Sequence, residues 1–192
     1  TSFSDSGRLK PAELRALKLQ HEAVLSCLKD EDGQPLTIFP EWEPAYYSEA
    51  DIVLAMGGEG SGKSYLGAEK LVVRAVLDAP KGTKLYWLIG DSYHVARKEF
   101  TYALEWFEQL KLVVDKSIPE NEKQPCVLTT RFGQRIVTVS GHDPTNIARD
   151  EPDGIVGCEV AQWPAETFKR AMNRLVRKMG QAWGLWTGSF ET

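Results

Sequence analysis

The sequence contains one short stretch whose residue types and spacing fit phosphate binding. Residues 57–64 read Gly-Gly-Glu-Gly-Ser-Gly-Lys-Ser, the pattern G-x-x-x-x-G-K-S, directly after the apolar run 51–56. Glycines let the backbone curl so that its N–H groups point at an anion, and a following helix adds the positive end of its dipole. Lys63 is expected to reach the β- and γ-phosphates of a nucleotide, and Ser64 to offer its hydroxyl to Mg²⁺. The predicted nucleotide-binding residues are Gly57, Gly58, Glu59, Gly60, Ser61, Gly62, Lys63 and Ser64.

A carboxylate that could activate water follows a second apolar run. Residues 154–158 have strand character, and Glu159 comes directly after them. Nucleotide hydrolysis needs a carboxylate at the carboxyl end of a neighbouring strand to orient or deprotonate the attacking water. Glu159 is therefore the predicted catalytic base and, with Ser64, a predicted Mg²⁺-side residue; the alternative is an ordinary glutamate at a strand end. The preceding position, where an aspartate would face Mg²⁺, is Cys158, and a thiol is a poor ligand for that ion.

Two further residues have a functional and a structural interpretation. Arg149, in the loop 141–150, could present its guanidinium to a γ-phosphate, as arginine fingers do. It could equally form a surface ion pair with an adjacent acid such as Asp150. Tyr47, shortly before the glycine-rich loop, is predicted to stack on an adenine ring, although packing against a sheet is the commoner role of such a tyrosine.

Basic residues cluster on the helix predicted after Glu159. Their spacing of three and four places several on one face, which could contact DNA phosphates or an acidic neighbouring subunit. A solvated charged face is the alternative. The residues concerned are Lys169, Arg170, Arg174, Arg177 and Lys178.

Predicted strands and helices alternate along the chain and must position these residues. Apolar runs predict strands over 51–56, 84–90, 154–159 and 183–188, and a hairpin over 126–139. Helical periodicity follows in between, so the expected fold is α/β, with a mainly parallel sheet flanked by helices. The predicted helices cover residues 11–28, 65–73, 93–112 and 164–179.

Composition limits the class of protein. The chain has 192 residues, enough for one domain with a sizeable core, and its 42% hydrophobic and 26% charged content is ordinary for a soluble protein. No apolar stretch is long enough to cross a bilayer. The net charge of −4 does not indicate a nucleic-acid binder, but a local basic strip could still contact phosphate. Three widely spaced cysteines indicate neither a disulfide framework nor a zinc site, so a reducing, intracellular setting is expected.

The order of these motifs resembles the ATPase domain of the large terminase subunit, the DNA-packaging motor of tailed bacteriophages. The shared order is glycine-rich loop, second strand, hairpin, loop with Arg149, strand with Glu159, and a last strand ending in Thr187, Gly188 and Ser189. The resemblance covers roughly residue 40 to the end. It implies a P-loop NTPase fold of the additional-strand (RecA-like, ASCE) type, ATP and Mg²⁺ as cofactors, and Thr187-Gly188-Ser189 as the motif that couples hydrolysis to movement.

The same resemblance carries expectations about organisation and partners. Residues 1–39 are expected to form an N-terminal helical segment and connector, and residues 40–192 the ATPase domain, without the nuclease domain of large terminases. The implied partners are double-stranded DNA, a homo-oligomeric ring on a portal protein and the small terminase subunit, in the cytoplasm of the infected bacterial host and with no membrane contact.

Two positions depart from the family pattern. Glu59 stands where many such loops have arginine, which increases the importance of Arg149, and Cys158 stands where the acidic pair has aspartate. We therefore expect weak ATPase activity from the isolated chain. The alternatives are a helicase-like DNA-dependent ATPase and a nucleotide-binding switch or assembly module with poor hydrolysis.

Overall fold

The computed structural model describes residues 11–48, 50–148, 150–178 and 181–189. The helices are α1 (Pro11–Leu25), α2 (Glu43–Tyr46), α3 (Lys63–Asp78), α4 (Tyr93–Gln109) and α5 (Ala165–Val176). The strands are β1 (Ile52–Gly57), β2 (Leu85–Gly90), β3 (Val113–Ser117), β4 (Val127–Thr130), β5 (Arg135–Ser140), β6 (Gly154–Gly157) and β7 (Trp183–Ser189). Short 3₁₀ turns cover Pro40–Trp42, Ala79–Lys81, Pro144–Ala148 and Val160–Gln162.

All seven strands form one sheet in the order β1-β7-β6-β2-β5-β4-β3. The strands from β1 to β5 in this order are parallel, and β4 and β3 extend the sheet antiparallel. Strand β7 separates β1, which leads into the glycine-rich loop, from β6, which leads into Glu159. This insertion is the additional strand, so the predicted fold class is confirmed, as is the predicted hairpin, formed by β4 and β5.

Strand β3 was not predicted, and the reason lies in its surface. Four of its five residues are exposed and only Val113 is half-buried, so the strand lacks the alternation of apolar and polar residues that marks a half-buried strand. Its pairing with β4 also shifts register between Val113 and Asp115. The preceding helix α4 ends at Gln109, before the predicted end at residue 112, because Lys111 adopts a left-handed backbone conformation with φ of 56°.

The sheet brings the predicted functional segments to one edge. Gly57 at the end of β1 is in register with Ser189 at the end of β7, and Gly157 at the end of β6 is in register with Trp186 of β7. Because these three strands are parallel, their carboxyl ends lie together. Such an edge is where open α/β sheets bind ligands.

Helix α3 lies unusually close to β6, which matters for the site at its beginning. A Cβ added to Gly67 would come within 2.8 Å of Val156 Cγ1, so a larger residue would push the helix away from the strand. Leu71, Val72 and Val73 are fully buried on the same helix. This close approach places the first turn of α3 beside the end of β6.

A polar and aromatic cluster joins α1 and α2 to the side of α3. The ammonium of Lys70 donates hydrogen bonds to the carbonyls of Ala45 and Tyr46, and the Tyr46 ring contacts His21 edge-on at a centroid distance of 5.3 Å. Glu69 is 2% exposed and its Oε1 has no hydrogen-bond partner among the described residues. Burial raises the pKa of Glu69 to about 8.

We expect Glu69→Gln to remove part of the pH dependence of stability. Between the ordinary pKa of 4.5 and about 8, the unfolded chain loses the Glu69 proton while the folded protein keeps it, so the free energy of unfolding falls as pH rises through this window. The slope reaches at most about 1.4 kcal/mol per pH unit. Urea unfolding of both proteins from pH 4 to pH 9 should show the variant gaining relative stability up to about pH 8, with no further gain above it.

The difference in the free energy of unfolding between the two proteins reports Glu69 alone and excludes the contribution of its neighbour His21. Burial lowers the pKa of His21 to about 4, so its contribution to stability is present above pH 6.5 and is lost as the pH falls from 6.5 to 4, the opposite direction. Both proteins carry His21, and its contribution cancels. Parallel pH profiles for the two proteins would contradict the prediction.

Candidate active site

The glycine-rich loop connects β1 to α3 with two left-handed backbone positions. Gly60 has φ of 73° and Gly62 has φ of 82°, conformations that glycine adopts without strain. Helix α3 then begins at Lys63, with its N-terminus at the loop. The ammonium of Lys63 is 5% exposed and donates hydrogen bonds to the carbonyls of Gly57, at 3.1 Å, and Gly58, at 2.7 Å. The loop thus holds its lysine at its centre.

Aromatic residues before β1 support the loop from outside. The Trp42 indole donates a hydrogen bond of 2.7 Å to the Ser61 carbonyl. A Cβ on Gly57 would come within 2.8 Å of the Ser61 hydroxyl and 3.1 Å of the Trp42 ring, and one on Gly62 would come within 3.2 Å of the Phe39 ring. These contacts fix the loop backbone and explain why the residues at 57 and 62 have no side chain.

Glu159 occupies the point where three predicted site residues meet. Its Oε2 accepts a hydrogen bond of 2.9 Å from the Ser189 N–H, and its Oε1 accepts one of 3.1 Å from the Ser189 hydroxyl. Its Oε1 also lies 3.9 Å from the Lys63 ammonium. The Glu159 backbone is left-handed, with φ of 50°, a conformation that costs a non-glycine residue roughly 1–3 kcal/mol and persists where the surroundings over-determine it.

The other two residues of the predicted coupling motif lie between the strands that carry the loop and Glu159. Thr187 is 2% exposed, and its hydroxyl donates a hydrogen bond of 3.1 Å to the Gly157 carbonyl of β6. Gly188 is in register with Met56 of β1, and a Cβ there would come within 2.8 Å of the Met56 sulfur. The end of β7 is therefore in contact with both neighbouring strands.

Beneath the loop lies a buried carboxyl that the sequence did not reveal. Glu99 of α4 is 3% exposed, and the Ser64 hydroxyl and the Cys158 thiol are near enough to its carboxyl to influence its pKa. Burial raises the pKa of Glu99, and these two contacts oppose that shift. Burial, with the Glu99 charge beside it, raises the pKa of the Cys158 thiol well above its ordinary value, so the thiol stays protonated.

One sequence signal could have identified Glu99. It lies on the apolar face of α4, three residues after Ala96 and four before Ala103, both fully buried. An acid in the apolar stripe of an amphipathic helix is rarely buried without a partner or a role.

Among the described residues, no group of three or more His, Cys, Asp or Glu side chains is placed to hold a metal ion by itself.

A cavity of about 540 Å³ opens beside the loop. Phe39, Tyr65 and Tyr102 provide its aromatic surface, Lys98 an exposed cation, and Glu59 an acidic side chain at the loop. The loop residues from Glu59 to Ser64, and Glu159, complete this side of the cavity. The cavity therefore joins an aromatic surface to the predicted phosphate site.

The structure does not bring Tyr47 to this cavity. Tyr47 is 8% exposed and its ring lies 5.0 Å from that of Tyr46 and 5.7 Å from that of His21, with the Lys18 ammonium 4.7 Å from its centroid. It has a packing role, as the alternative for this residue proposed, but it packs against α1 and Tyr46 and not against the sheet. The reason is that α2 turns the chain before β1, so that Tyr47 faces α1 while Phe39 and Trp42 face the loop.

Arg149 lies outside the described residues, but the loop around it is attached to α5. Arg170 donates a hydrogen bond to the Pro144 carbonyl at 3.2 Å, and Arg174 donates one to the Ile147 carbonyl at 3.0 Å. Lys178 donates to the Glu151 carbonyl at 2.9 Å. The basic face of α5 thus binds the segments on both sides of position 149.

The remaining charges on this face are also partly engaged. Arg177 pairs with the Glu151 carboxylate at 3.3 Å, and Arg170 pairs with Glu166 at 2.9 Å. Both pairs are well exposed, so each stabilises the fold little. The cluster therefore acts as an internal anchor for the loop, and its contact with DNA stays a prediction.

The glycine-rich loop after β1, the acidic residue after β6 and the strand between them define the additional-strand class of P-loop NTPases. No helix among the described residues is long and apolar enough to cross a membrane. No family model matches the sequence, and no curated protein matches it.

Solved structures of large terminases share this fold. The ATPase domain of the Thermus phage P74-26 large terminase matches with a TM-score of 0.62, at 15% identity over 94% of this chain and 70% of that domain. The HK97 bacteriophage large terminase matches with a TM-score of 0.62, at 16% identity over 88% of this chain and 37% of that protein. The large terminase of a thermophilic bacteriophage matches with a TM-score of 0.57, at 15% identity over 88% of this chain and 38% of that protein.

These matches confirm the predicted resemblance to large terminase ATPase domains in fold. The chain spans less than two-fifths of the length of the HK97 protein and of the large terminase from the thermophilic bacteriophage.

Proposed function

We propose that this chain is the ATPase domain of a DNA-packaging motor, which hydrolyses ATP with Mg²⁺ to translocate double-stranded DNA into a viral procapsid. The observation that carries the proposal is the position of the Glu159 carboxylate, 3.9 Å from the Lys63 ammonium and hydrogen-bonded to Ser189. These contacts join a phosphate-binding lysine, a candidate base and a candidate coupling residue at one sheet edge. The fold shared with large terminases supports the choice of motor over other P-loop enzymes.

Nucleotide binding begins at the loop and the first turn of α3. Backbone N–H groups of the loop and the N-terminus of α3 bind the phosphates, and Lys63 exchanges the carbonyls of Gly57 and Gly58 for the β- and γ-phosphate oxygens. An ionic contact with phosphate is stronger than one with a neutral carbonyl, which favours the exchange. Bound Mg²⁺ would neutralise developing phosphate charge, and Ser64 would hold it through its hydroxyl.

Glu159 then acts on the attacking water. A carboxylate near the γ-phosphate accepts the hydrogen bond that orients the water. It takes the water's proton as the new oxygen–phosphorus bond forms and the bond from the γ-phosphorus to the bridging oxygen breaks, which releases ADP. The two hydrogen bonds from Ser189 set the direction of this carboxylate and connect it to the end of β7. A shift of Glu159 between bound and released phosphate therefore moves Ser189, which is how the coupling motif transmits hydrolysis to the DNA-gripping surface.

In this proposal the adenine ring of ATP binds in the cavity beside the loop. Phe39 and Tyr65 line it with aromatic surface, on which an adenine ring can stack. This assigns to Phe39 and Tyr65 the role that the sequence had suggested for Tyr47.

The larger assembly completes the proposal. The chain works as a homo-oligomeric ring on a portal protein with the small terminase subunit, in the cytoplasm of the infected bacterial host. Arg149 is the proposed arginine finger, supplied within the subunit or to the ATP of its neighbour. Glu59 at the loop brings no positive charge to the phosphates, so the isolated subunit is a weak ATPase.

A second candidate is a nucleotide-binding switch with poor hydrolysis. Cys158 favours it, because a fully buried, protonated thiol stands where a carboxylate would assist Mg²⁺. A helicase-like ATPase has no comparable observation in its favour.

An ATPase assay at increasing protein concentration separates the two candidates. We expect slow hydrolysis that is stimulated by double-stranded DNA, with a rate that grows faster than protein concentration because an arginine in trans requires a neighbour. The Glu159→Gln variant, measured at the same concentrations, provides the background. Tight nucleotide binding without hydrolysis at any concentration, with or without DNA, would favour the switch and reject the motor.

A further inference from the structure

The thiol of Cys158 leaves the proposed Mg²⁺ site without one of its expected oxygen ligands. Mg²⁺ binds oxygen donors in octahedral geometry and is usually held in nucleotide sites by one or two carboxylates, phosphate oxygens and waters. Cys158 is completely buried. Sulfur is a soft donor and does not replace a carboxylate oxygen on Mg²⁺.

Glu99 brings a carboxyl to the same place from a different element. Helix α4 follows β2, the neighbour of β6 in the sheet, and packs against α3. The Glu99 side chain passes close to the first turns of α3, since a Cβ built on Gly67 would lie 3.9 Å from Glu99 Cγ. The Ser64 hydroxyl and the Cys158 thiol are both near enough to this carboxyl to influence its pKa, so the Glu99 carboxyl lies near the side chain at position 158.

The protein keeps this carboxyl at a cost that packing does not explain. Glu99 Oε2 is buried and has no hydrogen-bond partner among the described residues. A buried carboxyl oxygen without a partner is unfavourable, and the neighbouring positions on this face of α4 are apolar. An unpaired oxygen next to the Ser64 hydroxyl is instead suited to accept a hydrogen bond from a water molecule on Mg²⁺ or to bind the ion itself.

We propose that Glu99 supplies the Mg²⁺-side carboxylate that this chain lacks at position 158, and that it holds the nucleotide-bound ion together with Ser64. This inference rests on the proposed nucleotide-binding function and adds a residue to it. In this proposal the acidic group is on helix α4 instead of strand β6, and it acts with Ser64. Glu159 remains free to act on water, because the ion does not need it as its only carboxylate.

The Mg²⁺ dependence of nucleotide binding tests this role without measuring hydrolysis. We expect the parent protein to bind a fluorescent ATP analogue more tightly as free Mg²⁺ rises from EDTA conditions to millimolar concentrations. For Glu99→Gln, the Mg²⁺ concentration that gives half of this increase in affinity should be at least about tenfold higher than for the parent. Removing a supporting metal contact typically weakens metal binding by about this factor. Its affinity in EDTA should stay within about threefold of the parent, since the phosphate contacts are intact.

Binding of the metal ion can also be measured directly, with Mn²⁺ in place of Mg²⁺. Mn²⁺ replaces Mg²⁺ in oxygen-ligand sites and is visible by electron paramagnetic resonance. With a non-hydrolysable ATP analogue present, the parent should bind Mn²⁺ and Glu99→Gln should bind it more weakly by the same factor.

Two variants control for general effects of changing a buried carboxyl. Glu69→Gln alters a glutamate of similar burial on α3 that also has an unpaired oxygen but lies in the cluster with Tyr46, and it should keep the parent's Mg²⁺ dependence. The double variant Glu99→Gln/Cys158→Asp returns a carboxylate to the strand position and should recover Mg²⁺ dependence. Melting temperatures without nucleotide check that each variant is folded, and Glu99→Ala, which also removes the carboxylate, replaces Glu99→Gln if that protein does not fold.

The outcomes distinguish this inference from the function on which it rests. If the parent does not bind ATP at all, the proposed function fails and the role of Glu99 fails with it. If the parent binds ATP with Mg²⁺ and Glu99→Gln shows the same Mg²⁺ dependence, the function stands and the role of Glu99 is wrong. An equal loss in Glu69→Gln would also overturn it, because the effect would then belong to any buried carboxyl.

Discussion

Replacing Glu159 by glutamine is expected to abolish ATP hydrolysis while ATP binding is retained. Glutamine has nearly the same shape, and its amide oxygen can still accept a hydrogen bond from the Ser189 N–H, which now reaches Glu159 Oε2 at 2.9 Å. It cannot take a proton from water. Removing a general base typically costs about 10²–10⁴-fold in rate, so hydrolysis should fall to the background of the assay.

The measurement compares hydrolysis and binding on the same preparation. Phosphate release reports the rate, and a fluorescent ATP analogue reports the dissociation constant, which should change by less than about threefold. Glu166→Gln on α5 is a matched control, since that carboxylate is exposed and pairs with Arg170 outside the cavity. Hydrolysis by Glu159→Gln at the parent rate would show that another group activates the water.

Lys63→Ala is expected to abolish nucleotide binding. In the structure the Lys63 ammonium is buried and bonded to the carbonyls of Gly57 and Gly58, so it stands inside the loop where phosphate oxygens would be bound. A hydrogen bond to a charged group contributes about 1.5–3 kcal/mol, and loss of two such contacts with phosphate corresponds to an affinity at least about 10²-fold lower. The 3.9 Å contact between Lys63 and Glu159 is lost as well, which leaves the carboxylate with only its Ser189 bonds.

Lys98→Ala is the matched control for Lys63→Ala. Lys98 lines the same cavity but is exposed on α4, and its removal changes the charge of the cavity by the same amount. We expect at most a few-fold loss of affinity from this variant, because an exposed charge is screened by solvent. Titration of a fluorescent ATP analogue measures both proteins, with melting temperatures as a check on folding. Equal losses in the two variants would mean that Lys63 acts through net charge alone and does not contact phosphate.

Much of the fold could be predicted from the sequence because its elements carry strong local signals. Strands β2 and β6 are almost completely buried and read as continuous apolar runs, and the β4–β5 hairpin is marked by its short polar turn around Gly133. Strand β3 could not be predicted, because it is held by hydrogen bonds to β4 and buries almost no apolar surface. Backbone pairing of this kind leaves little trace in residue types.

Some of the site residues could also be predicted from the sequence, and others could not. The loop from Gly57 to Ser64 could be predicted, because the spacing of its glycines follows from local backbone geometry; Gly60 and Gly62 have the positive φ that such a loop requires. Glu159 was predicted from its place at the end of a strand, and its function stays a prediction. Tyr47 lies close to the loop in sequence but packs against Tyr46 and His21, since the direction of a side chain depends on the turn made by α2.

The sequence by itself determined that this chain has a glycine-rich loop, alternating strands and helices, and a thiol where a carboxylate was expected. These features depend on residues that are neighbours in the chain, so local conformational preference and periodicity reveal them. Only the tertiary structure decided that β7 lies between β1 and β6, that Ser189 holds Glu159, and that Glu99 reaches Ser64 and Cys158 from another helix. Each of these contacts joins residues at least 29 positions apart, and their proximity follows from strand order and helix packing, which no local pattern of residues specifies.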